Sequence, residues 1–342
     1  MAGRLSVAVV QGGASTEAEV SRASGKSVAA ALEEAGHGVV RLELDPSLAE
    51  AIRTGRFDVV FPVAHGAVGE DGSLQGLLEV LGVPYVGSGV LASALAMDKG
   101  MARRIFALDG LPVAAALVAP RPPPADASSF HAHARAAVER ARGEVGPRLV
   151  VKPSAQGSAL GVARFEGEAS VEDVADALVS AWQIDDVVLL EHFARGREIT
   201  CGVLDVLPAS AARPLPPTEI ISPSDAFYTF EARYAPGRSL HTCPAPIGER
   251  LTTLIQTIAV AAHRALGCRD LSRVDLILGD GEAADVVTLL EVNTMPGFTA
   301  TSLYPEAAAR AGIPLAALAE ALVWRAYVRG PAPRNGAHPL PG

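Results

Sequence analysis

LSVAVVQGGASTEAEVSRASGKSVAAALEEAG, residues 5–36, decides the first part of the fold. Val7 to Val10 is a short continuous apolar run that stops at Gly12-Gly13. A strand that is apolar on both faces is one that is covered on both, as in a parallel sheet. Thr16 and Glu19 have the spacing of a capping box, which predicts an Ala-rich helix to about Ala35, stopped at Gly36. Working outward, strands are predicted at Val39–Leu44, Phe57–Val63 and Val83–Tyr85, with helices near Leu48–Arg53 and from Leu74. Strand and helix alternate through the first hundred residues, which indicates a doubly wound α/β unit.

Pro120-Arg121-Pro122-Pro123-Pro124 breaks this rhythm and, with the polar stretch to Phe130, reads as an exposed connection. Strands are predicted at Leu149–Lys152, Gly161–Phe165, Val187–Glu191 and Ile199–Leu204, with a helix near Val171–Trp182. Residues 211–245 carry many Pro, Ser and charged residues with little periodicity, the pattern of a long functional loop. Leu251, Leu254, Ile255, Ile258, Ala262 and Leu266 repeat at helical spacing before Gly267. Two strands follow, Ser272–Leu278 and Val286–Val292, joined through Asp280-Gly281. A last helix is expected over Pro314–Val328 and a flexible tail over 331–342.

The length of 342 residues suggests two domains or three small ones, and 49% hydrophobic residues suffice for a large core. A formal net charge of -9 argues against a protein that coats nucleic acid. Cys201, Cys243 and Cys268 are scattered, with no CxxC pair, so reduced thiols in a cytoplasmic protein are expected. The apolar run at the start is too short for a signal segment, and no stretch of 18 apolar residues suggests a membrane span.

Three constellations carry chemistry. On the two C-terminal strands, alternation puts Arg273, Asp275 and Ile277 on one face, and Glu291 and Asn293 on one face of the next. Antiparallel pairing brings Asp275, Glu291 and Asn293 together, where a hard cation such as Mg²⁺ satisfies the oxygens. A solvated polar face with an Arg273–Asp275 ion pair is the alternative. The loop Asn293-Thr294-Met295-Pro296-Gly297-Phe298-Thr299-Ala300-Thr301-Ser302 can present N–H groups to an oxyanion, or be a turn with local Ser/Thr hydrogen bonds. VKPSAQGSALGV, 151–162, places Lys152 at a strand end before a small-residue loop holding Ser158. That loop is either a phosphate cover or a plain Gly-Ser hairpin, and it is neither a Walker A loop nor a GxGxxG turn. His65, in AHGAVGEDG at the end of an α/β strand, is either a carboxylate ligand or a solvated loop histidine.

Taken together, GGASTEAEVS (12–21), HGAVGEDGSLQG (65–76), MDK (97–99), VKPSAQGSALGV (151–162), FYTFEARY (227–234), RVD (273–275) and EVNTMPGFTATS (291–302) resemble the D-alanine–D-alanine ligases of the ATP-grasp superfamily. The resemblance runs in order over about residues 5–328. It implies an N-terminal α/β substrate domain (1–99), then a two-part ATP-grasp fold. The central part is 100–184 and the C-terminal part 185–330, with a mobile loop at about 211–245.

The resemblance also implies the roles. Glu17 would hold the ammonium of the first D-alanine, and His65 would lie near its carboxylate. Lys99, Lys152 and Arg233 would contact ATP phosphates, Glu191 to Ala194 would form the adenine hinge, and Glu198 would bind ribose. Asp275, Glu291 and Asn293 would hold two Mg²⁺, with Mn²⁺ as an alternative. Arg273 and the Gly297 N–H would meet the oxyanion, and Ser302 with the Leu303 N–H the second carboxylate. Ser158, Tyr234 and Glu17 would form a hydrogen-bonded set near the attacking amine. The implied product is D-alanyl-D-alanine for peptidoglycan, made in the cytoplasm by a homodimer with no nucleic-acid or membrane partner. Three departures stand out: Arg233 for the usual lysine, Ala159 for a second serine, and Thr229-Phe230 for Asp-Tyr. Tyr234 favours an amine nucleophile over a hydroxyl one. A ligase of the same fold acting on D-serine or a natural-product precursor is the alternative reading.

Overall fold

The first sheet is built around β1 (Ser6–Gln11), whose alternate side chains enter two separate cores. Val7 and Val9 meet α1 (Ala18–Glu34), while Ala8 and Val10 meet Leu48 and Ile52 of the next helix. That double coverage is why the run is apolar throughout. β1 pairs in parallel with β2 (Gly38–Glu43) and, after α2 (Leu48–Gly55), with β3 (Val59–Pro62). The computed structural model describes residues 3–123, 127–167, 169–206, 212–221, 240–280 and 286–331.

The expected capping box does not form. Glu17 is the N-cap of α1 without a side-chain cap bond, and the Glu19 carboxylate pairs with Arg22. The expected strand at Val83–Tyr85 reduces to one parallel bridge, Val60 to Tyr85, after α3 (Ser73–Leu81). Two short helices then follow, α4 (Val90–Met97) and α5 (Lys99–Leu108). Asp98 caps α5 by accepting from the Met101 N–H at 3.0 Å, and the Ser154 hydroxyl donates to the same carboxylate at 2.7 Å. This cap fixes where Lys99 emerges.

The middle sheet is antiparallel, in the order β4 (Ala116–Pro120), β7 (Val187–His192), β5 (Leu149–Pro153), β6 (Ala163–Phe165). Its Leu149, Val151, Val188 and Leu190 face α6 (Ala127–Glu144) and α7 (Val171–Ala181). A capping box does occur here, between Ser170 and Asp173 at the start of α7. Pro120 ends β4, residues 121–123 leave it without regular structure, residues 124–126 lie outside the described residues, and Phe130 belongs to α6 rather than to the connection.

The third sheet runs β11 (Leu240–Thr242), β10 (Thr218–Ile221), β8 (Gly196–Asp205), β12 (Asp270–Gly279), β13 (Val287–Asn293), with β9 (Arg213–Pro214) on β8. The 211–245 segment therefore contributes β9, β10 and β11 rather than loop alone. Residues 211 and 222–239 lie outside the described residues, as do 281–285 and 332–342. α8 (Gly248–Ala265) covers one face through Ile255, Ile258, Ala259 and Ala262. After α9 (Leu303–Arg310), α10 (Leu315–Arg329) returns to the first sheet, burying Leu318, Leu322 and Val323 beside Val28 and Leu32. Among the described residues no single helix is long and apolar enough to cross a membrane.

Candidate active site

Two cavities adjoin where the three sheets meet. The larger, about 340 Å³, lies between the middle and third sheets, within the size range of small-ligand sites. Val150, Lys152 and Glu191 line it from one sheet, and Glu198, Arg273, Asp275 and Ile277 from the other. Alternation explains the split: the opposite faces of these strands hold the apolar residues packed on α6, α7 and α8. The smaller, about 100 Å³, is lined by Glu17, His65, Glu70, Asn293, Gly297 and Ser302. The two share Gly157, Ser158, Arg273, Glu291 and Leu303.

The register of β12 and β13 sets Arg273 opposite Asn293 and Asp275 opposite Glu291. A bulge follows between Asp275 and Leu276, and it lets Leu290 as well as Glu291 line the larger cavity. Asp275 is held by Arg273 through two bonds, 2.9 and 2.7 Å, and by the Thr200 hydroxyl at 2.6 Å. The Arg273–Asp275 ion pair therefore exists; Asp275 lines the larger cavity, Asn293 the smaller, and Glu291 both. Asn293 Oδ1 accepts from the Met295 N–H at 2.9 Å.

Both lysines line the larger cavity, each held by a carboxylate. Lys99 Nζ is 3.2 Å from Glu291 and donates to the Gln156 carbonyl at 2.7 Å. Lys152 Nζ donates to Glu191 at 2.8 Å, and Arg103 approaches the other oxygen of that carboxylate at 3.3 Å. Arg164 lies 3.6 Å from Glu198 and over the ring of Phe193. Glu191 through Ala194 all line the larger cavity.

In the smaller cavity the Ser158 hydroxyl bonds to the Glu17 carboxylate. Ser158 and Ala159 both have positive φ, which turns the 154–161 loop toward α1. Gly66 has a φ of +78°, and a side chain there would meet Ser15 at 3.0 Å and Glu17 at 3.3 Å. Glycine is therefore required for the turn that brings His65 beside Glu17. His65 Nδ1 lies 3.4 Å from Glu70, whose other oxygen accepts from the Gly66 N–H at 2.6 Å. Burial disfavours the imidazolium, but the Glu70 carboxylate, with Glu17 beyond it, outweighs burial and raises the His65 pKa. Its buried Nε2 has no hydrogen-bond partner among the described residues.

All the described residues singled out in the sequence line one or both cavities. Arg233 and Tyr234 lie outside the described residues. Sequence reasoning missed Glu70, Arg103, Arg164 and Thr200. Arg103 lies one helical turn after Lys99, a spacing that carried a signal. Thr200 carried none, because its closeness to Asp275 comes from the pairing of β8 with β12.

A nucleotide-sized cleft between two antiparallel sheets, walled by two lysines and a carboxylate hairpin, defines an ATP-grasp ligase. The model described as D-ala D-ala ligase C-terminus matches residues 112–324, and that described as D-ala D-ala ligase N-terminus matches 46–88. The chain is 42% identical over 307 residues to a D-alanine–D-alanine ligase of Agrobacterium fabrum, covering 90% of this chain and 92% of the relative. It is 41% identical over 319 residues to one of Pelotomaculum thermopropionicum, covering 93% and 96%. Among solved structures, the D-alanine–D-alanine ligase of Coxiella burnetii superposes with a TM-score of 0.76 at 27% identity, covering 95% of this chain and 96% of that one. The Bacillus anthracis ligase complexed with ATP gives 0.75 at 26%, covering 95% and 98%. The chain belongs to the D-alanine–D-alanine ligase family.

Proposed function

We propose that this protein joins two D-alanine molecules into D-alanyl-D-alanine at the expense of ATP. One observation carries the reading: a nucleotide-sized cavity and an amino-acid-sized cavity adjoin and share Ser158, Arg273 and Glu291. The carboxylate of the first D-alanine attacks the γ-phosphorus, giving an acyl phosphate and ADP. The neutral amine of the second then attacks the acyl carbon, and phosphate leaves.

Lys99 and Lys152 bind the phosphates, Glu191 to Ala194 take the adenine, and Glu198 takes the ribose. Glu17 holds the first ammonium, and His65, whose pKa the Glu70 carboxylate raises, faces the first carboxylate. Ser302 and the Leu303 N–H take the second carboxylate at the start of α9, where unpaired N–H groups favour an anion. Arg273 and the Gly297 N–H stabilise the oxyanion of the tetrahedral adduct. Asp275, Glu291 and Asn293 offer two carboxylates and one amide oxygen at matched register, a donor set that suits Mg²⁺ or Mn²⁺. When bound there, the metal neutralises charge on the transferring phosphoryl group. Arg233 and Tyr234 complete the assignment from sequence alone, the first on phosphate and the second beside Ser158.

The three-part division at 1–99, 100–184 and 185–330 belongs to the same reading. So do a role in cell-wall precursor synthesis, a cytoplasmic location and a homodimer. Light scattering checks the last, and a monomer at micromolar concentration overturns it. The activity is tested by ADP release with ATP, Mg²⁺ and D-alanine, D-serine or D-lactate, with mass spectrometry of the product. D-alanyl-D-alanine should dominate. Faster turnover with D-serine, or with D-lactate at neutral pH, overturns the assignment.

A further inference from the structure

α1 reaches the site twice. Glu17 opens the helix beside Ser158, and Ser24 lies seven residues further on. Seven residues are close to two turns, so both point to the same side of the helix, about 10 Å apart along its axis. Ser24 is fully buried, and its Oγ accepts from the Phe298 N–H at 3.1 Å, across 274 positions of sequence. The next amide, Thr299 N–H, donates to Ser302 Oγ at 2.9 Å. The amide before them belongs to Gly297, which lines the smaller cavity and has no backbone hydrogen-bond acceptor among the described residues. A side chain at Gly297 would meet Ser302 Oγ at 2.9 Å, so the loop passes very close to its own anchor. The Phe298 ring is held independently, edge-on to Phe61 at 5.4 Å and tilted against Tyr304 at 6.1 Å.

From this geometry we infer that Ser24 is a positioning residue for the oxyanion site. Two of three successive amides are tied down, one by the first domain's own helix, and the third is left to the cavity. The Ser24 bond fixes the peptide plane that joins Gly297 to Phe298, so only the φ and ψ of Gly297 separate that anchored plane from the Gly297 N–H, and the close packing of Gly297 on Ser302 and Ser24 narrows both. α1 thereby sets the spacing between the residue that holds the first amino acid, Glu17, and the donor that meets its carbonyl oxygen. The inference rests on the assignment of Gly297 N–H to the oxyanion.

The test is steady-state kinetics of Ser24→Ala and Ser24→Thr, with thermal midpoints. Direct loss of an oxyanion donor costs about 10²–10³-fold in kcat, so loss of its support should cost about 10-fold. KM for ATP should stay within about twofold, because Ser24 does not line the nucleotide cavity. Ser24→Thr keeps the hydroxyl and should recover most of kcat. A Ser24→Ala enzyme within twofold of wild-type kcat overturns the inference, as does a Ser24→Thr enzyme as slow as Ser24→Ala. Should Ser24→Ala not fold, Ser24→Cys, of similar volume with a weaker acceptor, is measured in its place against the same limits. Wild-type protein that makes no D-alanyl-D-alanine refutes the proposed function instead, before Ser24 is reached.

Discussion

β12 carries polar groups on both of its faces, and the two faces use them in opposite ways. Ser272, on the face toward α8, and Asp270, at the start of the strand, are fully buried. Ser272 meets His263 at 2.8 Å, and Asp270 accepts from the Gly87 N–H at 2.8 Å while pairing with Arg329. Arg329 also donates to the Tyr85 carbonyl at 2.6 Å, and Arg269 donates to the Gly87 carbonyl at 2.8 Å. These bonds clasp residues 85–87, which follow α3, to the third sheet and to the end of α10. On the other face, Arg273 and Asp275 form a pair of similar chemistry, but both line the larger cavity. In the clasp the Asp270 carboxylate is fully enclosed by protein. The cavity pair stays within reach of a ligand. Two aspartates five positions apart on one strand, each paired with an arginine, serve cohesion in one place and chemistry in the other because the burial of their carboxylates differs.

Substitutions at the two pairs should therefore separate stability from activity. The largest effect is expected from Arg329→Ala, which leaves the Asp270 carboxylate buried without its cation. Breaking one side of such a pair costs about 3–5 kcal/mol. Urea unfolding should show that loss, while kcat of the folded fraction stays within about twofold. A loss below about 1 kcal/mol breaks the comparison. Asp275→Asn should behave in the opposite sense. Its activity should fall about 10²–10³-fold, some 3–4 kcal/mol of transition-state stabilisation. Its unfolding free energy should change by no more than about 1–2 kcal/mol, the cost of a partly buried charged hydrogen bond. Equal activity in Asp275→Asn and wild type removes Asp275 from the site.

The pattern behind this comparison was partly legible in the sequence. Alternation along 273–277 and 291–293 placed Arg273, Asp275, Glu291 and Asn293 on one surface, because a strand's period of two needs no tertiary knowledge. The run at 7–10 likewise announced a doubly covered strand. What was hidden depended on contacts distant in sequence. Nothing local marks Asp270 as the partner of Arg329, 59 positions away, or Ser24 as the partner of Phe298. The capping box at Thr16 and Glu19 failed because Glu17 occupies the N-cap and gives its carboxylate to Ser158 instead. β9, β10 and β11 were missed because they are two to four residues long, too short for periodicity to register.

The third prediction sharpens the contrast between the faces through protons. His263 sits on the sealed side, and burial lowers its pKa to about 4, with Asp205 opposing the shift and Arg264 adding to it. Its folded pKa is thus below the ordinary 6.5, so the unfolded chain binds the proton more readily. The stability that neutral His263 contributes is complete above pH 6.5 and is lost as pH falls toward 4. The full span is about 3 kcal/mol. His65, on the substrate side, has the opposite sign: its pKa is raised, so its contribution is complete below pH 6.5 and is lost as pH rises through the folded value. Urea unfolding of wild type and His263→Gln between pH 7 and pH 4 isolates the first effect, since the carboxylates titrate alike in both. The wild-type curve should fall more steeply over this window. Parallel curves would mean that the α8 face of β12 takes up protons as freely as the unfolded chain, and the sealed face would not be sealed.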